Sequence, residues 1–211
     1  MAGARRDSVP RTLIHCNLRS NNLKSYVQLN PKYNLISVGS ANTEFCGGNL
    51  DEGSMSIKWP EQYSQNNVDV HVSNEMEMSA SADIVWAWLI RAKLWPTWYR
   101  NSANVIIDDG KPDLHLGTKF RWKTFGLNLE SEVEEFVPYE RLAWTAHGFG
   151  IDAYHAWLIE KRESGCYVLT EENQKGILAR LNKLFRPSNM EKYHQEWLQG
   201  LCSKAKSGLP T

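Results

Sequence analysis

The chain has 211 residues, of which 42% are apolar and 23% are charged, and its formal net charge is zero. This composition suits a globular protein of one domain plus an appendage. Lys and Arg form no cluster, so nucleic acid is a poor partner, because its binding depends on neutralised phosphates. No apolar stretch approaches the roughly 20 residues that span a bilayer, and we expect no stable membrane insertion.

Cysteine and histidine spacing indicates no metal site. The four cysteines include no Cys-x-x-Cys pair, and the six histidines show no His-x-x-x-His spacing. A metal site would have to be assembled from residues distant in sequence, and the sequence therefore predicts no metal and no cofactor. The scattered cysteines fit a reducing compartment, so we expect a cytoplasmic protein.

The composition changes near Met55. All nine tryptophans lie at Trp59 or later, whereas the first 54 residues hold seven asparagines and a basic bias. We expect residues 1–54 to be a poorly ordered extension and residues 55–211 to be one folded domain. Two alternatives stay open: the basic leader has the composition of a mitochondrial targeting segment, and Met55 could be the natural start.

The domain begins with a strand followed by two helices. Alternation predicts a strand over Val68–Met78 with one apolar face. Ser81 is a plausible N-cap for the helix that follows, and Asp83 is favourably placed in its first turn. A short second helix is predicted over Leu94–Tyr99.

The middle of the chain reads as an antiparallel meander joined by short polar or glycine-containing turns. Its predicted strands are Val105–Asp109, Thr118–Thr124, Leu127–Phe136, Arg141–His147, Ala153–Lys161 and Cys166–Gln174.

Turn lengths predict which residues face each other in the first half of this meander. A two-residue turn at Phe125–Gly126 pairs Trp122 with Leu129, and a four-residue turn at Val137–Glu140 sets Val133 opposite Trp144. In both cases the apolar faces stay in phase, which a slip of one residue would destroy.

The second half of the meander follows the same rule. A four-residue turn at Phe149–Asp152 sets Trp144 against Trp157 and Ala146 against His155. A similar turn before Cys166 sets His155 against Glu172 and Trp157 against Thr170.

Two further helices are predicted. Ile177–Phe185 is short and amphipathic, and it is either a lid, plain packing or an interfacial membrane segment. After Pro187, apolar residues recur at helical spacing and predict a long helix that lies on the sheet. The members of this stripe are Met190, Tyr193, Trp197, Leu198 and Leu201.

The order of these elements and several motifs resemble the START-related helix-grip (SRPBCC) superfamily, which includes polyketide cyclases and dehydrases. The resemblance covers about residues 59–207 and implies an α+β fold: a curved antiparallel sheet of about seven strands around a long C-terminal helix. The motifs that carry it are Ser81-Ala-Asp-Ile-Val-Trp86, Trp95-Pro-Thr-Trp98-Tyr, Gly117-Thr-Lys-Phe-Arg-Trp122, Val133-Glu-Glu-Phe-Val-Pro138, Arg141-Leu-Ala-Trp144 and Thr170-Glu-Glu-Asn-Gln174.

The fold implies an internal cavity lined by the inner face of the sheet. Its tryptophans either fill the core or form flat walls for an aromatic or polycyclic ligand. Polar residues on the same face predict a polar corner made of Ser131, His155, Thr170 and Glu172. The predicted ligand-binding residues are Asn74, Phe120, Trp122, Leu129, Ser131, Val133, Trp144, Trp157 and Thr170.

The predicted function is binding of a small hydrophobic molecule, whether a lipid, an aromatic or a polyketide-like compound. The alternative is an enzyme of the cyclase or dehydratase type, in which His155 and Glu172 form an acid–base pair that moves a proton at an enolisable carbon. These two residues could instead simply satisfy each other. The ligand and the oligomeric state stay open.

Overall fold

The computed structural model describes residues 56–185 and 188–211, so the predicted extension over residues 1–54 lies outside the described residues. The strands are β1 Val70–Met78, β2 Ala103–Ile107, β3 Lys119–Thr124, β4 Leu127–Val137, β5 Arg141–Gly148, β6 Ile151–Arg162 and β7 Gly165–Lys175. The α-helices are α1 Ala82–Ile90, α2 Ile177–Phe185 and α3 Asn189–Lys206.

One seven-stranded sheet organises the domain. Its strand order is β1-β7-β6-β5-β4-β3-β2, and every neighbouring pair is antiparallel. The first strand pairs with the last, while β2 to β7 form the meander expected from the sequence. Helix α3 packs on β1, β7 and α1. The predicted α+β helix-grip fold is confirmed.

Alternation along β1 places one face inward. Val70, Asn74 and Met78 are buried, whereas the residues between these positions on the other face are exposed. This face continues across the sheet, because antiparallel partners directly opposite each other point to the same side. Period-two patterning therefore predicted the inner surface correctly.

Two predicted registers in the first half of the meander are confirmed. Trp122 lies opposite Leu129 across the β3–β4 turn. Val133 lies opposite Trp144, although a bulge between Val133 and Glu135 replaces part of the expected four-residue turn. The turn itself is one residue shorter than predicted. Because the bulge adds one residue to β4, the apolar residues of β4 and β5 still lie on the same face of the sheet.

The predicted pairing between β5 and β6 is wrong by two residues. The turn contains only Phe149 and Gly150, and Gly150 has a φ of +68°, which a glycine adopts without steric cost. Trp144 therefore faces His155, and Ala146 faces Ala153 rather than His155. The next pairing, of His155 with Glu172 and of Trp157 with Thr170, is confirmed.

The helices follow their sequence signals. α1 begins after Ser81, which occupies the predicted N-cap position but makes no side-chain capping hydrogen bond, and the predicted second helix is a 3-10 helix over Ala92–Thr97, two residues earlier than expected. α2 has the predicted bounds, and its Leu184 and Phe185 are exposed by 72% and 74%. None of the described helices is both long and apolar enough to cross a membrane.

Helix α3 buries a slightly different stripe from the predicted one. Tyr193 is only partly buried, and the inward position beside it belongs to His194. The buried residues of α3 are Met190, His194, Trp197, Leu198, Leu201 and Ala205.

Candidate functional site

An apolar pocket lies between the inner face of the sheet and α3. Its free volume is about 30 Å³, which is room for one or two water molecules. The lining residues are Tyr99, Trp122, Thr124, Phe125, Leu127, Leu129, Trp144, Ala146, Ile151, Ala153, His155, Glu172, Gln174, His194 and Trp197.

Tryptophans fill most of the space that the sequence assigned to a ligand. Trp95 comes from the 3-10 helix and places its ring centroid 5.4 Å from that of Trp144 and 5.3 Å from that of Trp197. Trp197 also stacks on Tyr99, with centroids 4.5 Å apart and planes 5° apart. Helix residues thus complete a packed aromatic cluster on the sheet tryptophans, which leaves the pocket small.

A polar cluster occupies one side of this pocket. His155 on β6 places Nδ1 3.2 Å from Oε2 of Glu172 on β7, because these residues are direct cross-strand neighbours. His194 on α3 places Nε2 3.0 Å from the same carboxylate oxygen. The two imidazole rings are parallel within 5°, with centroids 4.9 Å apart. His155 exposes only 2% of its surface and His194 only 1%, so both rings are fully enclosed.

Two neighbours hold this cluster in place. Thr170 Oγ1 lies 2.8 Å from His155 Nε2, the ring nitrogen that faces away from Glu172. Gln174 donates from Nε2 to Oε1 of Glu172 at 2.5 Å. The side chains of His155 and Glu172 are therefore each held by a second partner in addition to their contact with each other.

Burial sets the protonation states of the pair. Desolvation lowers the pKa of His155 to about 3, although the charge of Glu172 opposes this shift. Burial alone would raise the pKa of Glu172, but the hydrogen bond from His194 and the other neighbouring donors outweigh it and lower the pKa. A neutral His155 therefore faces an ionised Glu172 near neutral pH.

Several buried polar atoms around the pocket lack a hydrogen-bond partner among the described residues. They include the indole nitrogens of Trp144, Trp157 and Trp197, the hydroxyl of Thr124 and Nδ1 of His194. An unpartnered buried polar group costs about 1–3 kcal/mol, so such groups call for an explanation. Water or a ligand in the pocket would supply partners to those that line it.

The predicted site residues fall into two sets. Trp122, Leu129, Trp144, His155 and Glu172 line the pocket. The residues that do not line it are Asn74, Phe120, Ser131, Val133, Trp157 and Thr170.

The predicted placement of Ser131 in the polar corner is wrong. Ser131 lies opposite Ala146 on β5, and Ala146 lies opposite Ala153 on β6 instead of His155. Ser131 and His155 are therefore not in the same row of cross-strand neighbours. Its hydroxyl accepts a hydrogen bond from Trp122 Nε1 at 3.1 Å. Asn74 is the cross-strand neighbour of Thr170, and its amide donates to Gln195 on α3 at 3.2 Å.

His194 is the important residue that the sequence interpretation missed. It lies four residues after Met190 and three before Trp197, and this helical spacing could have identified it as an inward-facing position. Through α3, it brings a third potential metal ligand to His155 and Glu172. Ligating atoms of these three residues lie within 4.8 Å of one another.

Comparison with solved structures finds a relative of clear sequence similarity. The hypothetical protein jhp0584 from Helicobacter pylori is 34% identical, with a TM-score of 0.67, and the alignment covers 71% of this chain and 96% of that protein. No protein-family model and no curated protein sequence matches the chain.

Two more distant structures share the fold alone. TTHA0849 from Thermus thermophilus is 14% identical, with a TM-score of 0.55 over 65% of this chain and 98% of that protein. The di-domain ARO/CYC protein StfQ from the steffimycin biosynthetic pathway is 12% identical, with a TM-score of 0.56 over 68% of this chain and 53% of that protein.

Proposed function

We propose that this chain, which shares the helix-grip fold and is 34% identical to its Helicobacter pylori relative, is a START-related (SRPBCC-like) protein that binds a small, largely apolar molecule in the pocket beneath α3. The observation that carries the proposal is the character of the pocket wall. The wall is aromatic and apolar on most sides and has hydrogen-bonding groups on one side only. Ligand sites commonly combine an apolar lining with a few placed polar groups.

The chemistry of the wall favours a flat ligand that carries an acceptor oxygen. Aromatic faces such as those of Trp122 and Trp144 stack well on another ring. The indole nitrogens of Trp144 and Trp197 are donors only, and neither has a partner among the described residues. A ketone or ether oxygen on the ligand would satisfy one of them.

The small volume limits the size of the ligand. Drug-sized ligands occupy pockets of about 300–1,000 Å³, whereas the free space here is about 30 Å³. Binding therefore requires movement of side chains such as Trp197, and a compact single-ring compound needs the least movement. Long acyl chains fit this pocket worst, so we place an aromatic ligand before a lipid.

Acetophenone and ethylbenzene form a matched pair of probes, because they have nearly the same shape and only the ketone has an acceptor oxygen. Titration of protein labelled with 5-fluorotryptophan, followed by ¹⁹F NMR, locates the probe. We expect the resonances of Trp144 and Trp197 to shift while that of Trp59, which packs with Tyr154 away from the pocket, stays in place.

Acetophenone should bind about fivefold more tightly than ethylbenzene, since one net hydrogen bond contributes about 1 kcal/mol. Equal affinities would contradict the acceptor requirement. Dodecanoate serves as the lipid probe, and tighter binding of dodecanoate than of acetophenone would contradict the aromatic class. If no probe shifts any pocket tryptophan up to its solubility limit, the binding function itself fails.

Acid–base catalysis by His155 and Glu172 is the second candidate function, and their contact at 3.2 Å favours it. The lowered pKa of His155 counts against it, because a general base works best with a pKa near the ambient pH. In a turnover assay with an enolisable substrate, the variant His155→Ala should lose activity and keep ligand binding. Unchanged turnover would remove this candidate.

A further inference from the structure

We propose that His155, Glu172 and His194 form a binding site for one divalent first-row transition-metal ion, for which Zn²⁺ is the probe. Residue spacing along the chain showed no sign of such a site, because its members are supplied by β6, β7 and α3. The inference goes beyond the proposed ligand binding and does not depend on it.

The donor set matches what these metals bind. Two imidazoles and one carboxylate are a common ligand set for Zn²⁺ and Fe²⁺ in proteins. Ligands about 2.0–2.1 Å from a tetrahedral Zn²⁺ lie about 3.3 Å from each other. Oε2 of Glu172 lies 3.2 Å from His155 Nδ1 and 3.0 Å from His194 Nε2, so these separations are close to those around a shared ion.

The space beside the cluster suits the remaining coordination position. Metal sites with three protein ligands usually keep a water or a substrate in the open position. All three residues line the same pocket, whose free volume of about 30 Å³ holds one or two water molecules. The rest of the pocket wall is mostly apolar.

Neighbouring groups orient two of the three ligands. Metal-bound imidazoles and carboxylates are normally held by hydrogen bonds from surrounding residues. Thr170 Oγ1 contacts the far nitrogen of His155 at 2.8 Å, and Gln174 donates to the far oxygen of Glu172. These contacts hold Nδ1 of His155 and Oε2 of Glu172 3.2 Å apart, next to Nε2 of His194.

Binding requires a change in ring orientation. The imidazole planes of His155 and His194 are parallel within 5°, whereas an ion on both nitrogens should lie near both ring planes. His194 is the ring with fewer polar restraints, because its one hydrogen bond among the described residues goes to Glu172 and its Nδ1 has no partner. The adjoining free volume gives this ring room.

The test uses the full chain after chelator treatment and dialysis, with no organic ligand present. Titration with Zn²⁺ followed by calorimetry should give one ion per chain and a rise in melting temperature. Glu172→Gln and His194→Gln should each weaken binding by at least a hundredfold. His147→Gln is the matched control, because His147 is an exposed histidine that contacts Asp152 outside the cluster, and this variant should bind as wild type does.

A positioning test distinguishes a built site from chance proximity. Thr170→Val keeps the side-chain volume but loses the contact with His155, and it should weaken Zn²⁺ binding about tenfold, as expected for the loss of an orienting group. Thr170→Ser should restore the affinity. Equal affinities of the valine and serine variants would contradict the orienting role.

X-ray absorption of the wild-type protein with Zn²⁺ gives a result that does not depend on the folding of any variant. We expect a coordination shell of nitrogen and oxygen with two imidazoles. A shell that contains sulfur, or full Zn²⁺ binding by the variant Glu172→Gln, would place the ion elsewhere and overturn the proposal. Absence of stoichiometric binding would overturn it as well, while the acetophenone experiment would still stand or fail by itself.

Discussion

Replacement of Trp197 by alanine tests whether the aromatic cluster holds α3 on the sheet. The indole of Trp197 is buried and contacts Tyr99, Trp95 and His155, with ring centroids 4.5, 5.3 and 5.0 Å away. These partners belong to the 3-10 helix after α1, to the turn that follows it and to β6, and they cannot all move into the space that the indole leaves. The variant Trp197→Ala should therefore retain much of the resulting cavity.

The expected cost follows from this burial. Truncation of a buried tryptophan or phenylalanine to alanine destabilises a protein by about 3–5 kcal/mol. For a chain of this size, each 1 kcal/mol shifts the melting temperature by about 2–4 °C. Trp197→Ala should thus lower the melting temperature by about 6–20 °C.

Circular dichroism during heating, with and without indole, measures both the loss and its repair. Indole has the shape of the missing side chain, and at 100 times its Kd a ligand stabilises the folded state by about 2.7 kcal/mol. The variant should therefore regain roughly 5–11 °C. Trp59→Ala is the control, because Trp59 is only partly buried and packs on His71 and Tyr154 instead of the pocket residues.

Two outcomes would refute this reasoning. A destabilisation below about 1 kcal/mol would mean that Trp197 contributes little packing, since truncation of a buried aromatic residue to alanine normally costs about 3–5 kcal/mol. Equal rescue of Trp197→Ala and Trp59→Ala by indole would show that the added indole acts on the protein surface and not in the new cavity.

Two further predictions concern turns and pH. Gly165→Ala should destabilise the protein in guanidinium titrations by clearly more than Gly117→Ala. Both glycines have positive φ, so both substitutions strain the backbone. At Gly165, however, a Cβ would also collide with the backbone of β1, whereas Gly117 has open space. Similar losses for the two variants would contradict the steric account. Asp69 accepts from the Gly176 amide and pairs with Arg180, and these contacts lower its pKa below the ordinary value of 3.8. The ionised Asp69 carboxylate therefore stabilises the fold fully above that pH, and this stabilisation is lost on acidification. Asp69→Asn should melt at a lower temperature than wild type near pH 6, and the difference in melting temperature should close below about pH 4. A difference that does not depend on pH would contradict this linkage.

Alternation in the sequence was enough to predict the inner face of the sheet but not every register. Turns of two and four residues both preserve the phase of the alternation, so parity cannot distinguish them. The predicted pairing of Ala146 was therefore displaced by two residues although its face was right, whereas the pairing of His155 with Glu172 was predicted correctly. The same register error placed Ser131 in the predicted polar corner.

The content of the pocket was harder to predict, because it depends on how side chains from separate elements share one volume. The sheet tryptophans were correctly placed on the inner face. However, only the three-dimensional packing shows that Trp95 and Trp197 occupy the space in front of them. His194 was missed for a simpler reason: a polar residue within an apolar stripe was not counted as part of it.

The division of the pocket between sheet and helix has a consequence for how such sites diversify. His155 and Glu172 sit on strands that are hydrogen-bonded on both sides, so changes there risk the pairing of neighbouring strands. His194 and Trp197 belong to α3, whose backbone hydrogen bonds are internal to the helix. A library randomised only at these two helix positions would therefore vary the size and the chemistry of the pocket without changing the pairing of the strands, at a cost set by the packing that Trp197 provides.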